Sequence, residues 1–260
     1  MKYLNQILEG VAYSTSRLIH TPSIENLHIV PTDRQFILVG NHGCNFATET
    51  AYILEALRNR NIKIAALGHD FLFKSKPMKK LLNRMGVYSV SPENFDDLIE
   101  DGYSILLYPG GARECLKTKD NAYQLSWENR YGFAKRAVKY NIPIVPFATV
   151  GNDEHAHTIA VIDTMTRTKM GNYLWQSFDG DCLLRKMSLK RYYTNVIVGK
   201  GFAGLPKIRV KYNTKFGSAV FPGSFTDTCQ NKQIEAIKTE VQNSVQKMLD
   251  QNPCLKMDLT

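Results

Sequence analysis

Short apolar runs alternate with amphipathic stretches along most of this chain. Six of the runs have the length and composition of β-strands. They are Phe36–Val39, Lys63–Leu67, Val87–Val90, Ser104–Tyr108, Ile142–Val150 and Lys207–Tyr212. Strands separated by helices form βα units, whose strands lie parallel in one sheet with right-handed crossovers. The pattern therefore predicts an α/β fold: a single domain, residues 1–260, with a mostly parallel central sheet flanked by helices.

The stretches between these runs place apolar residues three or four positions apart, as amphipathic helices do. The predicted helices are Ala51–Leu57, Met78–Met85, Pro92–Glu100, Trp127–Lys139 and Gln230–Leu249. Residues 1–22 show the same spacing, and two interpretations stay open for them: a helix packed on its own domain, or a helix lying on a membrane surface. Residues 151–205 follow no single period, and we interpret them as an insertion or lid that covers the site or touches a membrane.

Composition narrows the class of protein. The chain has 260 residues, of which 43% are hydrophobic, so it can bury one large core. No window reaches the roughly 18 apolar residues that a membrane-spanning helix needs, and the N-terminus lacks the apolar block of a secretory signal. Five cysteines without a C-x-x-C pair indicate neither a disulfide framework nor a zinc site. We therefore expect a cytoplasmic protein, peripheral on the cytoplasmic face of a membrane.

The net charge of +9 favours an anionic partner, for which a phospholipid membrane, a phosphorylated small molecule and a nucleic acid all qualify. The basic region 184–212 allows nucleic-acid binding, but such a stretch is more often a solvated or membrane-facing surface, and we expect no nucleic-acid partner. A metal-dependent hydrolase is a further alternative, because Asp153, Glu154, His155 and His157 are suitable ligand types. Their spacing is not that of an open catalytic site, so we expect no metal.

His42 is the candidate catalytic residue. The apolar run before it ends at Gly40 and Asn41, which have turn chemistry, so His42 lies at the carboxyl end of a strand. Open α/β sheets bind ligands at that edge. The next helix opens with Thr48 and Glu49, and a carboxylate there can orient the imidazole from the other side of the turn. The alternative is a purely structural histidine.

A second motif, Pro109-Gly110-Gly111-Ala-Arg113-Glu114, follows the fourth predicted strand at the same sheet edge. Two glycines allow backbone amides to approach a ligand closely, and the planar guanidinium of Arg113 suits a phosphate or carboxylate. The alternative is an ordinary strand-to-helix turn whose surface arginine pairs with the neighbouring Glu114.

Taken in order, these motifs resemble the lysophospholipid/glycerol acyltransferase superfamily, and more closely its diacylglycerol-acyltransferase-like branch. The resemblance covers about Phe36 to Val150. It rests on four blocks: Asn41-His42, Ala66 to Gly86, Tyr108 to Glu114, and Ile142 to Pro146. It implies a glycerol-3-phosphate-acyltransferase-like fold and the transfer of a fatty acyl group from acyl-CoA or acyl-carrier protein to a hydroxyl of a glycerolipid or related lipid. The donor is then a co-substrate, and no further cofactor is expected.

In this family a histidine paired with an acid deprotonates the hydroxyl that attacks the acyl thioester. The resemblance implies that His42 is this base. The usual His-x4-Asp spacing leads to Ala47, whereas the longer spacer of some relatives leads to Glu49 as the acid. No acyl-enzyme is expected, and Cys44 is not interpreted as a nucleophile. The substrate-binding residues implied are Asn41, Lys74, Gly110, Gly111, Arg113 and Glu114.

The alternative function is a catalytically impaired, lipid-binding peripheral membrane protein, in which Ala47 marks a decayed acid site. A membrane surface is an expected partner in both cases.

Overall fold

The structure is a computed structural model. It describes residues 21–43, 48–115, 121–151, 153, 156–160, 169–177, 196–199, 211–225 and 229–251. Within these ranges, no helix has both the length and the apolar character needed to cross a membrane. The predicted N-terminal helix spans residues 1–22. Residues 1–20 lie outside the described residues, and Thr21 and Pro22 belong to a strand.

A seven-stranded sheet forms the centre of the fold, and a separate two-stranded sheet lies outside it. The strand order in the large sheet is β1-β9-β6-β2-β5-β3-β4. All its pairs are parallel except β6 with β9. The strands are β1 Thr21–Glu25, β2 Ile37–Gly40, β3 Ile64–Gly68, β4 Val87–Ser89, β5 Ser104–Leu107, β6 Ile144–Val150, β7 Ala156–Ala160, β8 Val196–Gly199 and β9 Lys211–Phe216. The predicted α/β fold with a mostly parallel sheet is therefore confirmed.

Helices cover both faces of the large sheet. Those in the described ranges are α1 Thr48–Arg58, α2 Lys76–Arg84, α3 Pro92–Glu100, α4 Ala112–Cys115, α5 Gly132–Tyr140, α6 Lys169–Ser177 and α7 Gln230–Asp250. Short 3-10 turns occupy Leu27–Ile29, Asp70–Phe73 and Pro222–Ser224. Side chains of α1 pack on one face of the sheet, and those of α3, α5 and α7 pack on the other.

Strand β2 shows why the sequence folds in this way. Its neighbours are β5 and β6, and every one of its residues is buried. Ile37 and Val39 enter the core on the α3, α5 and α7 side, whereas Phe36 and Leu38 enter the core on the α1 side. A strand buried on both faces needs an unbroken apolar run, and the run before His42 supplies it. The burial of β2 fixes the position from which His42 leaves the sheet.

Some predicted elements differ from the observed ones. Residues 127–131 are not helical, because Trp127 and Arg130 close a turn through their backbone and Glu128 has a positive φ. Strand β1 was missed, since it is a short edge strand that contains Pro22. Of the last predicted strand, Lys207–Tyr212, only Lys211 and Tyr212 are described, and both belong to β9, which runs on to Phe216.

Only parts of the predicted insertion, residues 151–205, are described. Strands β7 and β8 from this region pair with each other, antiparallel, apart from the large sheet. Its role as a lid stays a prediction. Asp153, one of the ligand types considered for a metal, accepts a hydrogen bond from the backbone N–H of Tyr123 at 2.7 Å. Within the described ranges, no three His, Cys, Asp or Glu side chains form a group that could hold a metal ion.

Candidate active site

Three segments meet beyond the carboxyl ends of neighbouring strands and surround one large cavity. His42 follows β2, His69 follows β3 and Tyr108 follows β5, and all three line the cavity. Its volume is about 1160 Å³, slightly above the range of about 300 to 1,000 Å³ common for small-molecule sites. Its walls are mainly apolar and include Leu54, Leu67, Met85, Val87, Phe95 and Phe133. This arrangement can hold a long apolar chain beside a histidine.

The ring of His42 is held by Glu49 from the first turn of α1. Nδ1 of His42 lies 2.7 Å from Oε1 of Glu49. The Glu49 side chain is fully buried, whereas the His42 side chain is 19% exposed. The positive end of the α1 dipole lies at the same turn and favours a carboxylate there. The pair therefore has the geometry of a base whose tautomer is set by an acid.

Tyr108 holds the other side of the imidazole. The two rings stack with their centroids 4.2 Å apart and their planes 15° from parallel. The Tyr108 hydroxyl is 2.9 Å from the hydroxyl of Thr50 on α1, which also lines the cavity. Burial, followed by the nearby charge of Glu49, raises the pKa of Tyr108 well above its ordinary value. Tyr108 is thus uncharged, and its stacked ring restricts the orientation of the His42 ring.

Glu114 fixes the backbone of His42. Its side chain is fully buried, and its two carboxylate oxygens accept hydrogen bonds from the N–H of His42 at 2.9 Å and the N–H of Ser126 at 2.8 Å. Gly110 makes room for this carboxylate, since a Cβ at Gly110 would lie 2.1 Å from the carboxyl carbon. Glu114 therefore connects its own segment by hydrogen bonds to those of His42 and Ser126.

Asn41 fixes the preceding residue in a similar way. Its side-chain amide donates to the carbonyl of Thr149 at 2.9 Å and accepts from the N–H of Thr149 at 2.8 Å. The Thr149 hydroxyl is 2.8 Å from that of Thr214, which in turn is 2.5 Å from the hydroxyl of Tyr52. These buried groups connect the end of β2 to β6, β9 and α1. The side-chain amide of Asn41 is hydrogen-bonded to the backbone of Thr149 and thus has a structural role.

The charge state of His42 depends on two neighbours. Burial lowers the pKa of His42, but the Cys115 thiol, through charge and hydrogen bonding, and the Glu49 carboxylate outweigh it. The pKa of His42 therefore lies well above its ordinary value of 6.5. The protonated ring is therefore favoured relative to a free imidazole, and a reaction that needs His42 as a base should accelerate as the pH rises.

We expect Glu49→Gln to shift the pH profile of kcat/KM. The wild-type profile should rise with pH through an inflection above 6.5, because kcat/KM reports the pKa of the base in the free enzyme. Glutamine removes the negative charge that favours the imidazolium, so the inflection should move to lower pH. The plateau should also fall, because an amide stabilises the imidazolium formed during reaction less well. The exposed Glu93→Gln is the matched control, and an unmoved inflection in Glu49→Gln would separate Glu49 from the base.

Only some of the predicted site residues lie at the cavity, as far as the structure describes the chain. His42 and Gly111 line it, and Glu49 reaches it through His42. Gly111 has a positive φ, and its N–H donates to the carbonyl of Tyr108 at 3.0 Å. This N–H is therefore used within the turn, contrary to its expected approach to a ligand. Cys44 and Ala47 lie outside the described residues.

The remaining predicted substrate contacts do not line this cavity. Asn41 and Glu114 hold backbone groups, and Gly110 accommodates the Glu114 side chain. Arg113 pairs with the exposed Glu128. Lys74 is exposed, with its Nζ 5.7 Å from the centre of the Phe71 ring.

The cavity residues that were not predicted from the sequence include Cys115, Thr50 and Arg130. Cys115 is partly exposed and immediately follows Glu114, so the motif contained a signal for it. The exposed Arg130 follows Trp127, in the turn that was predicted to be helical. Thr50 carries no recognisable signal beyond its place in the first turn of α1.

Comparison with known proteins identifies the family. A model of the diacylglycerol acyltransferase family matches residues 27–172, more than half of the chain. The chain belongs to this family. The matched residues include His42, Glu49 and Glu114, so the hydrogen-bonded site lies inside the family region. The resemblance predicted from the four blocks is confirmed.

Individual relatives cover different parts of this family member. Phytyl ester synthase 2 of Arabidopsis thaliana is 33% identical over 138 residues, which are 50% of this chain and 20% of the relative. Phytyl ester synthase 1 of the same plant is 26% identical over 242 residues, 87% of this chain and 34% of the relative. Diacylglycerol O-acyltransferase 2 of Homo sapiens is 27% identical over 114 residues, 43% of this chain and 29% of the relative. The chain thus spans between 20% and 34% of the length of these relatives.

A solved structure with a similar fold is the crystal structure of the 1-acyl-sn-glycerophosphate (LPA) acyltransferase PlsC from Thermotoga maritima. The TM-score is 0.56, and the match covers 96% of this chain and 81% of that chain. At 15% sequence identity this likeness concerns the fold alone.

Proposed function

We propose that the protein transfers an acyl group from a thioester to the hydroxyl of a lipid acceptor, with His42 as the general base. The observation that carries this proposal is the 2.7 Å contact between His42 and buried Glu49 at the wall of a large apolar cavity. A polar base beside an apolar cavity suits a substrate that has one reactive polar group and a long apolar chain. Membership of the diacylglycerol acyltransferase family supports the same reaction.

The reaction proceeds by direct transfer. With Nδ1 of His42 donating to Glu49, Nε2 takes the proton of the acceptor hydroxyl while its oxygen attacks the thioester carbonyl. The carbon–sulfur bond then breaks, and the leaving thiolate takes the proton from the imidazolium. General-base catalysis supplies about 10²- to 10⁴-fold, and the remaining acceleration comes from positioning the two substrates in the cavity.

The acceptor is a neutral lipid alcohol, such as a mono- or diacylglycerol. Three arginines line the cavity, and Arg130, at its rim, is assigned below to the acyl donor. Of the other two, Arg58 donates to the carbonyl of Met85 at 3.0 Å and Arg136 pairs with Asp96 at 3.0 Å. Both cations therefore already hold protein groups, which disfavours them as a cradle for an acceptor phosphate. The names of the relatives, phytyl ester synthase and diacylglycerol O-acyltransferase, agree with a neutral acceptor.

Product analysis tests this function. The purified chain is incubated with a long-chain acyl-CoA, or with the acyl-carrier protein thioester, and with diacylglycerol, a long-chain alcohol or a lysophospholipid. Thiol release and ester formation are both measured. We expect equal amounts of thiol and ester with the two neutral acceptors. Lipid binding without either product would instead support the alternative, a catalytically impaired lipid-binding protein.

Arg130 is the proposed contact for the phosphates of acyl-CoA. It is exposed and lines the rim of the cavity, whereas Arg113 pairs with Glu128 away from it. We expect Arg130→Ala to raise the KM for acyl-CoA about two- to fivefold, the size of an exposed ionic contact. The KM for a thioester without nucleotide phosphates should not change. Arg113→Ala is the matched comparison, and a KM increase confined to that variant would restore the assignment made from the sequence.

Cys115 allows a sharp test of direct transfer. Its thiol is close enough to the His42 ring to influence the pKa of His42, and both residues line the cavity. If transfer is direct, Cys115→Ala keeps kcat within about threefold of wild type, because no bond to sulfur is needed. Mass spectrometry of the wild-type protein with acyl-CoA alone should then show no acyl adduct. An adduct that disappears in Cys115→Ala, together with loss of turnover, would show a covalent route.

A further inference from the structure

Large apolar side chains are exposed around the mouth of the cavity. Five of the nine exposed large apolar residues in the described part of the chain lie between positions 71 and 90. Their exposed fractions are 43% for Phe71, 45% for Leu72, 45% for Met78, 37% for Leu81 and 48% for Val90. Such a concentration on one surface is typical of a site that contacts another apolar phase.

The same segment of the chain is strongly basic. Lys74, Lys76, Lys79, Lys80 and Arg84 belong to it, and the sequence has no acidic residue between Asp70 and Glu93. On α2 the cations lie on one side of the helix, whereas Met78 and Leu81 lie on the other side. Helix α2, which carries four of these cations, has no buried residue. It contacts β4 and the Asp70–Phe73 turn. We call these five cations and the five exposed apolar side chains the docking face.

The docking face is continuous with the interior of the cavity. Phe71, Leu72 and Val90 are exposed and also line the cavity, and so do Leu82 of α2 and Met85, which follows α2. An apolar path therefore runs from the surface towards His42. Lysine side chains can place their ammonium groups beside lipid phosphates while their methylene stems lie against apolar groups.

We propose that the docking face binds the surface of a bilayer that contains anionic phospholipids, so that a lipid acceptor passes from the bilayer into the cavity. Apolar side chains that enter the interface, with cations around them, are the features that bind a protein to such a surface. An acidic carrier protein would complement the cations, but it would leave the exposed apolar rim without a partner phase. The inference rests on the proposed function for the passage of the acceptor, whereas membrane binding itself is measured without turnover.

Flotation of the full chain with vesicles tests this proposal. Vesicles of phosphatidylcholine alone are compared with vesicles that also contain phosphatidylglycerol. We expect binding only to the anionic vesicles, and a loss of about tenfold or more in the variant Lys76→Glu/Lys79→Glu/Lys80→Glu. The variant Met78→Ser/Leu81→Ser removes exposed apolar groups that do not line the cavity, and it should also weaken binding. Circular dichroism verifies that each variant is folded.

A charge-matched control separates the docking face from net charge. Lys211, Lys232 and Lys247 are exposed on β9 and α7, whereas α2 contacts β4 at the opposite edge of the sheet. Their triple substitution by glutamate should leave vesicle binding within about twofold of wild type. Equal losses in both triple variants, or no loss in either, would overturn the proposal. Unchanged vesicle binding with a raised KM for acyl-carrier protein in the α2 variant would overturn it in favour of a donor-docking site.

Different variants are expected to lose vesicle binding and catalysis. His42→Gln should float with anionic vesicles as wild type does, even though it transfers no acyl group. The α2 charge variant should retain wild-type turnover on a water-soluble acceptor in the absence of vesicles. Loss of that turnover would show that α2 acts on the reaction itself and would contradict the role proposed here.

Discussion

His42→Gln is expected to lower kcat/KM for acyl transfer by about two to four orders of magnitude, the usual contribution of a general base. Glutamine can still donate a hydrogen bond to Glu49, which is fully buried and 2.7 Å from the ring. An alanine at this position would leave that buried carboxylate without its hydrogen-bond donor from His42, which is costly in a folded protein. His42→Gln therefore separates the catalytic loss from a loss of stability better than His42→Ala does.

The loss is measured as ester formation per folded molecule, with the melting temperature recorded for each variant. The exposed His28→Gln is the matched control and should behave as wild type. Turnover of His42→Gln within a few-fold of wild type, at an unchanged melting temperature, would remove His42 from the mechanism.

Glu114→Ala is expected to have the largest effect on stability among the site variants. It removes the acceptor of two backbone N–H groups, those of His42 and Ser126. A polar group left without its partner inside a protein costs about 1 to 3 kcal/mol, so the free energy of unfolding should fall by about 2 to 5 kcal/mol. The folded fraction should also lose activity, because the backbone N–H of His42 no longer has its anchor.

Urea unfolding measures the first effect, and activity normalised to folded protein measures the second. Glu128→Ala is the matched control, since the Glu128 side chain is 63% exposed and should change stability by only about 0.5 kcal/mol or less. Glu114→Gln should lie between wild type and Glu114→Ala, because its amide keeps one acceptor oxygen and turns an N–H group towards the other donor. Wild-type stability in Glu114→Ala would show that these two hydrogen bonds do not support the fold.

The sequence was most informative where one strong local rule operates. The apolar run before His42 predicted a buried strand, and the acidic opening of the next helix placed a carboxylate close behind it. In the structure, His42 and Glu49 lie at hydrogen-bond distance from each other. Both positions follow from the local chain, and the long-range pairing of β2 with β5 and β6 was not needed to predict them.

The sequence was less informative where side-chain direction decides a role. Arg113, Glu114 and Cys115 are consecutive residues of a four-residue helix, yet their side chains have different surroundings. Arg113 forms a surface ion pair, Glu114 is buried in the core and Cys115 lines the cavity. Such a short helix has no periodicity that reveals its buried face. The arginine was therefore assigned to a substrate anion and the glutamate to a substrate contact, although the structure uses the glutamate to hold the backbone of His42.

Tertiary contacts also overrode local pattern around Trp127. The spacing of apolar residues predicts a helix from that position, but the Trp127 side chain is fully buried in the core and the N–H of Ser126 is held by Glu114. These two contacts fix a turn, and α5 begins only at Gly132. The displaced start brings Arg130 to the rim of the cavity, a placement that the predicted helix did not contain.

We propose above that His42, oriented by Glu49, is the base for acyl transfer to a lipid hydroxyl. The most direct test of this proposal is the amount of labelled ester formed from labelled acyl-CoA and diacylglycerol by wild type and by His42→Gln at equal concentrations of folded protein. Wild type should form ester and thiol in equal amounts, and His42→Gln should form at least a hundredfold less ester. Equal ester formation by the two proteins would contradict it.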